Sequence, residues 1–349
     1  MHAAMWHAPG DVRWEQRPDP RIELPTDAVV RVVAACVCGS DLWTWRGKRP
    51  PADPHPIGHE LVAIVEEVGA GVTTLREGDF VVSPFSISDG TCAHCRHGVQ
   101  TSCAQARWFG GTGPDGRTID GAQGQYVRIP LADGTLVATP GLPDTGLIPA
   151  LLTLSDVMGT GHHAAVSAGV GPGRTVAVVG DGAVGLCAVL AAVRLGAERV
   201  LAFSSHTDRQ DVATRFGASD VIPERGDDGA AALRDLLGDI GADCVLECVG
   251  TAQSMAQAIA STRPGGRIGY VGVPLGGAEL PIKTMFSANI TVGGGVAPVR
   301  RYLPELLADV LDGSLDPSPV FDLELPIERV ADAYRAMDER RSIKTLLRP

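Results

Sequence analysis

The chain has 349 residues, enough for two domains of ordinary size. Its 30 Lys and Arg against 41 Asp and Glu give a formal charge of −11, which argues against nucleic acid as a partner. Hydrophobic residues at 44% and charged residues at 20% exclude a disordered chain, and the longest apolar run, 184–193, is too short to span a bilayer.

Residues 1 to about 150 are rich in Pro and Gly and carry short β-type runs at 28–34, 61–68 and 80–83. Turn signals at Pro9-Gly10 and Glu77-Gly78-Asp79 separate such runs, so this region reads as strand-rich and loop-heavy. From about residue 158 the pattern changes. Thr175–Val179 is short, β-branched and apolar, as a strand covered on both faces requires. Residues 183–195 then read as helix, 200–203 as strand and 208–216 as helix. Segments 221–222, 230–237, 244–249, 254–261 and 267–273 continue the alternation, which predicts a doubly wound parallel sheet with right-handed crossovers. The chain then returns to mixed character, with helices expected at 302–311 and 327–337 and a strand at 343–347. This tail is expected to rejoin the first region, giving a discontinuous α/β arrangement of 1–157 with 297–349 around a second domain at 158–296.

Residues 180–185 read Gly180-Asp181-Gly182-Ala183-Val184-Gly185, a G-x-G-x-x-G sequence at a strand-to-helix junction. Gly180 permits the tight turn, Gly182 puts no side chain in the way of a pyrophosphate, and Gly185 lets the helix pack closely on the strand. The helix N-terminus then faces the phosphates. Inside a βαβ unit of this length the pattern predicts a dinucleotide site.

The end of the next strand bears on which dinucleotide is bound. An NAD site usually places Asp or Glu there to hold the adenosine ribose hydroxyls. Here the strand runs into Ser204-Ser205-His206-Thr207-Asp208-Arg209, so Ser204 stands where the acid is expected. Ser204, Ser205, His206 and Arg209 can donate hydrogen bonds and charge to a 2′-phosphate, so NADP(H) is favoured over NAD(H). Asp208 is the residue that could instead serve an NAD ribose.

Cysteine, histidine and carboxylate side chains recur at positions suited to metal. Cys38 and His59 lie in the strand-rich region, and a catalytic zinc takes three protein ligands and leaves one position open. Asp156, just before the dinucleotide region, offers the third. Each has a structural alternative: Cys36 and Cys38 alternate along a strand, His59 suits a hydrogen-bonded core site, and Asp156 suits a helix cap. Cys92-x-x-Cys95 with Cys103 reads as a separate metal loop, in which His94 and His97 are competing donors. The eight cysteines are expected to be reduced thiols, and the first residues lack a basic stretch followed by an apolar one, so a cytoplasmic location is expected.

Taken together, Cys38-Gly-Ser-Asp41, Gly58-His-Glu60, the Cys92/Cys95/Cys103 loop, Gly180–Gly185 and Ser342-Ile-Lys344 resemble the zinc-dependent alcohol dehydrogenases of the medium-chain dehydrogenase/reductase superfamily over essentially the whole chain. The resemblance implies a GroES-like catalytic domain and a Rossmann coenzyme domain. It implies that Cys38, His59 and Asp156 hold catalytic zinc and that Glu60 can approach the metal during ligand exchange. Asp41 is implied to orient the zinc histidine, and Ser40 to carry the substrate proton. Thr160 is implied to lie against the nicotinamide, and Lys344 to contact a cofactor phosphate. Many members have Cys at the Asp156 position, and others have Asp.

The resemblance also implies that Asp89, Cys92, Cys95 and Cys103 form a structural zinc site, with Asp89 where most members have a fourth cysteine. Trp43 stands where many members have a relay histidine, and an indole cannot shuttle a proton. Trp43, Phe85 and Trp108 match substrate-pocket positions and suggest an apolar or aromatic pocket. The expected activity is hydride transfer between NADP(H) and a small alcohol or carbonyl compound, with zinc polarising the substrate oxygen. An NAD-linked polyol or formaldehyde dehydrogenase of the same fold and a non-catalytic zinc and nucleotide-binding redox sensor are the alternatives. Assembly as a homodimer or homotetramer through the strand at 290–292 is likewise implied.

Overall fold

A computed structural model describes residues 1–48, 53–274 and 279–349. They divide into two compact units, Met1–Asp156 with Pro298–Pro349, and Val157–Ala297. The first unit is built on a seven-stranded sheet whose hub is the strand Ala28–Cys36. This strand pairs antiparallel with Leu61–Val68, with Tyr126–Ile129 and with the C-terminal strand Thr345–Arg348. The last of these pairings returns the chain terminus to the first unit. Alternating valines and alanines of Ala28–Cys36 bury one face against Leu61, Val65, Val127 and Ile129, and this cluster is the core beneath the sheet.

Register in this sheet does the positioning. Ala35 lies opposite Leu61, and Leu61 lies opposite Ser83. The exit from Ala28–Cys36, the entry to Leu61–Val68 and the exit from Phe80–Ser83 therefore share one end of the sheet. Leu346 opposite Cys36 brings Lys344 to the same end.

The second unit is a six-stranded, all-parallel sheet. Its order is Asp220–Ile222, Arg199–Phe203, Thr175–Val179, Ala242–Glu247, Thr262–Tyr270 and Thr291–Gly294. The strand first in sequence is central, and the order reverses beside it, which is the doubly wound topology with its ligand crevice at the switch point. Helices Ala183–Arg194, Thr207–Arg215, Gly226–Leu236 and Ala252–Ser261 connect the strands. An unexpected helix, Val157–Ala168, packs on Ala183–Arg194, and Gly161 allows the approach: a Cβ there would lie 2.6 Å from the Ala188 nitrogen. The strand expected at 267–273 instead spans Thr262–Tyr270. Gly272, just beyond it, packs against the Gly250 backbone, where a side chain would collide. The helix expected at 327–337 begins as a 3₁₀ turn, Ile327–Arg329, before Val330–Asp338. Among the described residues no helix is long and apolar enough to cross a membrane.

Candidate metal centre and dinucleotide site

At the shared sheet end of the first unit, Cys38 follows the hub strand and His59 and Glu60 precede Leu61–Val68. The Phe85 amide donates to the Ser155 carbonyl at 2.9 Å, which anchors the Asp156 segment beside them. Donor atoms of Cys38, His59, Glu60 and Asp156 all lie within 4.8 Å of one another. Cys38 Sγ is 3.6 Å from Asp156 Oδ2, and His59 Nε2 is 3.4 Å from the same oxygen. Nitrogen, oxygen and sulfur donors at about 2.0–2.3 Å from a tetrahedral ion stand roughly 3.3–3.8 Å apart, so both of these separations suit donors around one zinc ion.

Asp41 ties two members of the cluster together. Its Oδ2 accepts the Cys38 backbone N–H at 2.9 Å, and its Oδ1 lies 3.2 Å from His59 Nδ1. The ring is thereby held with Nε2 toward Asp156. Burial pushes His59 down, but Asp41, Cys38 and Asp156 outweigh it and hold the imidazole well above its ordinary value. Burial, then the charges of Asp156 and Glu60, push the Cys38 thiol up, so binding a cation there expels a proton.

In this structure Lys344, the residue implied by the resemblance to contact a cofactor phosphate, has its ammonium on a buried carboxylate. Its side chain is 1% exposed, and Nζ lies 2.7 Å from Glu60 Oε1 and 3.2 Å from the Val37 carbonyl. The ammonium is committed to the buried Glu60 carboxylate. Burial pushes its amine down, and the charge of Glu60 beside it works the other way, so the amine stands above its ordinary value. Glu60 Oε2 is buried with no hydrogen-bond partner, an orphaned acceptor at the edge of the donor cluster.

Ser40 is exposed immediately before the helix Asp41–Trp45. Phe85 meets His59 edge-on at 6.4 Å and stacks on Trp108 at 5.9 Å, and Trp108 is 46% exposed. These rings form a ladder from the donor cluster to the surface. The Arg46 guanidinium lies over the Trp43 ring at 5.9 Å.

The second cluster brings together Asp89, Cys92, Cys95 and Cys103. Cys92 Sγ is 3.5 Å from Cys95 Sγ and 3.9 Å from Cys103 Sγ, spacings that suit thiolates around one tetrahedral ion. Backbone N–H groups of Asp89 and Gln105 point at Cys103 Sγ, each at 3.3 Å. Burial raises Asp89, but the Cys92 and Thr91 amides and the neighbouring thiols pull its carboxyl below the usual range. His94 and His97 are exposed and stand outside this donor set.

In the second unit the glycine loop has the geometry its sequence calls for. Gly180 sits at φ +120°, a Cβ on Gly182 would meet nothing within 4 Å, and a Cβ on Gly185 would collide with the Gly180 carbonyl. The open cradle at Gly182 fits a pyrophosphate approaching the N-terminus of Ala183–Arg194. Thr160 is buried on the helix Val157–Ala168.

Two residues that sequence reasoning passed over complete the strand end. Ser204 Oγ donates to Asp181 Oδ2 at 3.0 Å, and Arg209 Nη1 lies 3.1 Å from Asp181 Oδ1. Arg225 donates to Ser205 Oγ at 2.7 Å and reaches to 4.0 Å from Asp181. His206 precedes the helix Thr207–Arg215 as its cap residue. The pairing of strand Arg199–Phe203 with Asp220–Ile222 signals that residues just beyond 222 can reach this corner.

Residues 24–141 match the family described as alcohol dehydrogenase GroES-like domain, and residues 183–312 match the zinc-binding dehydrogenase family. A zinc-type alcohol dehydrogenase B of Aspergillus flavus is 32% identical across 100% of this chain and 81% of its own length. The solved alcohol dehydrogenase TADH of Thermus sp. ATN1 superposes with a TM-score of 0.92 at 33% identity, covering 100% of this chain and 99% of that one. The 2R,3R-butanediol dehydrogenase of Bacillus subtilis superposes with a TM-score of 0.83 at 26% identity, over 100% and 99% of the two chains. These matches span both units, and the chain belongs to the zinc-dependent alcohol dehydrogenases of the medium-chain dehydrogenase/reductase superfamily.

Proposed function

We propose that the chain is an NADP(H)-linked oxidoreductase that interconverts a small alcohol and its carbonyl compound at the Cys38, His59 and Asp156 cluster. The observation that carries this reading is the convergence of three donors from distant parts of the sequence at zinc-like separations. Zinc held there supplies Lewis acidity toward a substrate oxygen, and a bound nicotinamide supplies or accepts hydride. Cys38 and Asp156 provide two negative charges, and Asp41 fixes which nitrogen of His59 serves as donor. Lys344 occupies one oxygen of Glu60, and the other would be the atom able to approach a zinc ion held by the cluster. The exposed Ser40 hydroxyl takes or gives the substrate proton and passes it to water, since Trp43 cannot relay it. The Phe85–Trp108 stack favours an apolar or aromatic substituent on the substrate.

Arg209 and Arg225 support NADP(H), because two guanidiniums against the single Asp181 carboxylate leave net positive charge at this strand end for a 2′-phosphate. The second cluster is assigned a structural zinc with Asp89 as fourth ligand. Among the described residues the eight cysteines form no disulfide, which supports a reducing cytoplasm. Elemental analysis should give about two zinc per chain. A panel of alcohols and aldehydes should change the absorbance of the reduced nicotinamide, faster with NADP(H) than with NAD(H) at matched concentration. Active protein free of transition metal would sink the proposal, and a large NAD preference would sink its cofactor half.

A further inference from the structure

The strand end where a serine replaces the expected acid has a carboxylate after all, delivered from the glycine loop. Asp181 follows the first glycine of that loop, yet its carboxylate sits on Ser204 at the end of Arg199–Phe203. It is held by Arg209, and its side chain is 14% exposed. Arg225 approaches the same carboxylate from the third strand's connection. One carboxylate and two guanidiniums thus share this corner.

We propose that Asp181 is the residue that sets the choice between the two dinucleotides, acting as an internal stand-in for the 2′-phosphate. Arg209 and Arg225 carry two positive charges, and a 2′-phosphate carries about −1.5 to −2 near neutral pH. Without Asp181 the pair would balance that group. With Asp181 present, Arg209 is already ion-paired at 3.1 Å, and a 2′-phosphate seated on the two guanidiniums would be repelled by that carboxylate. A ribose carrying a free 2′-hydroxyl meets the opposite situation, since Asp181 can accept its O–H. The carboxylate therefore narrows an arginine-based preference for the phosphorylated cofactor and keeps the other one usable. This inference rests on the assignment of a dinucleotide to the second unit.

The test is fluorescence titration of the zinc-loaded protein with NADPH and with NADH, for wild type, Asp181→Asn and Asp181→Ser. Asn keeps a partner for Ser204 and Arg209, and Ser shortens the side chain, so the two variants cover different risks to folding. In either folded variant the ratio of the NADH Kd to the NADPH Kd should rise at least tenfold over wild type. NADPH should tighten and NADH should weaken. In Arg209→Met the ratio should fall, mainly through lost NADPH affinity. If both dinucleotides bind and the Asp181 variants move the ratio less than twofold, or toward NADH, the role given to Asp181 is overturned while the dinucleotide site stands. If neither dinucleotide binds wild type, the site assignment falls and takes this inference with it.

Discussion

Charge neutralisation decides what each residue around the first cluster can do. Asp156 lies within donor distance of both Cys38 and His59. Asp156→Ala should lower the zinc content from about two to about one per chain and abolish turnover. Dinucleotide titration should be unchanged, because that site lies in the other unit. Full activity in the variant would remove Asp156 from the ligand set. Lys344 acts one step further out. Its ion pair with Glu60 is buried on both sides, and truncating one partner strands the other charge. Lys344→Met should therefore cost about 3–5 kcal/mol in denaturant unfolding. Adding Glu60→Gln should restore much of that loss, since no uncompensated charge then remains. A single variant as stable as wild type would show that the pair carries no such burden. Nothing in the local sequence Ser342-Ile343-Lys344 announced this partner, which is 284 positions away and is met only through the register of the C-terminal strand.

At the scale of elements, one carboxylate fastens three strands of the parallel sheet. Asp243 on Ala242–Glu247 accepts the Thr175 N–H at 2.9 Å and pairs with Arg263 of Thr262–Tyr270 at 2.8 Å. Burial raises its carboxyl, but Thr175, Arg263 and Arg174 pull it below the ordinary 3.8. A depressed folded value means the stabilisation is complete above pH 3.8 and fades as pH falls through the lower folded value. Asp243→Asn should cost about 1–3 kcal/mol at pH 7, and the gap to wild type should close as the pH is taken below 3.8. Unfolding followed by circular dichroism across that range checks it; a gap that stays constant would contradict the linkage. Strands such as Thr175–Val179 were legible because a buried parallel strand must be a short apolar run. The helix Val157–Ala168 was not. It is buried almost all round, so it shows no apolar stripe, and its first half, Gly159-Thr160-Gly161-His162-His163, is poor in helix formers. The role of Asp181 is hidden in the sequence for a related reason. The rule for cofactor choice inspects the strand end, whereas the carboxylate arrives there from a different turn.

For the whole molecule, the clusters were legible because metal and phosphate chemistry restrict residue type and spacing, whereas association between copies depends on surface that carries no such restriction. The parallel sheet of the second unit ends at Thr291–Gly294, which pairs with Thr262–Tyr270 on one side. Beside it in sequence, the helix Ile282–Ala288 exposes Ile282 by 65% and Phe286 by 84%. Among the described residues no strand pairs with its other edge, and such an edge next to large exposed apolar side chains invites pairing with another chain. A second copy related by a two-fold axis would meet this edge antiparallel, extending one sheet into the other and covering Phe286. We expect the protein to run as a dimer or larger assembly in light scattering. Phe286→Glu leaves the separate chain's packing untouched, because the ring contributes so little buried surface there, but places two like charges near the two-fold axis. The variant should shift toward the mass of one chain while keeping its zinc and its fold. A wild-type protein that is monomeric at micromolar concentration, or a variant whose mass does not change, would rule out this edge as the contact.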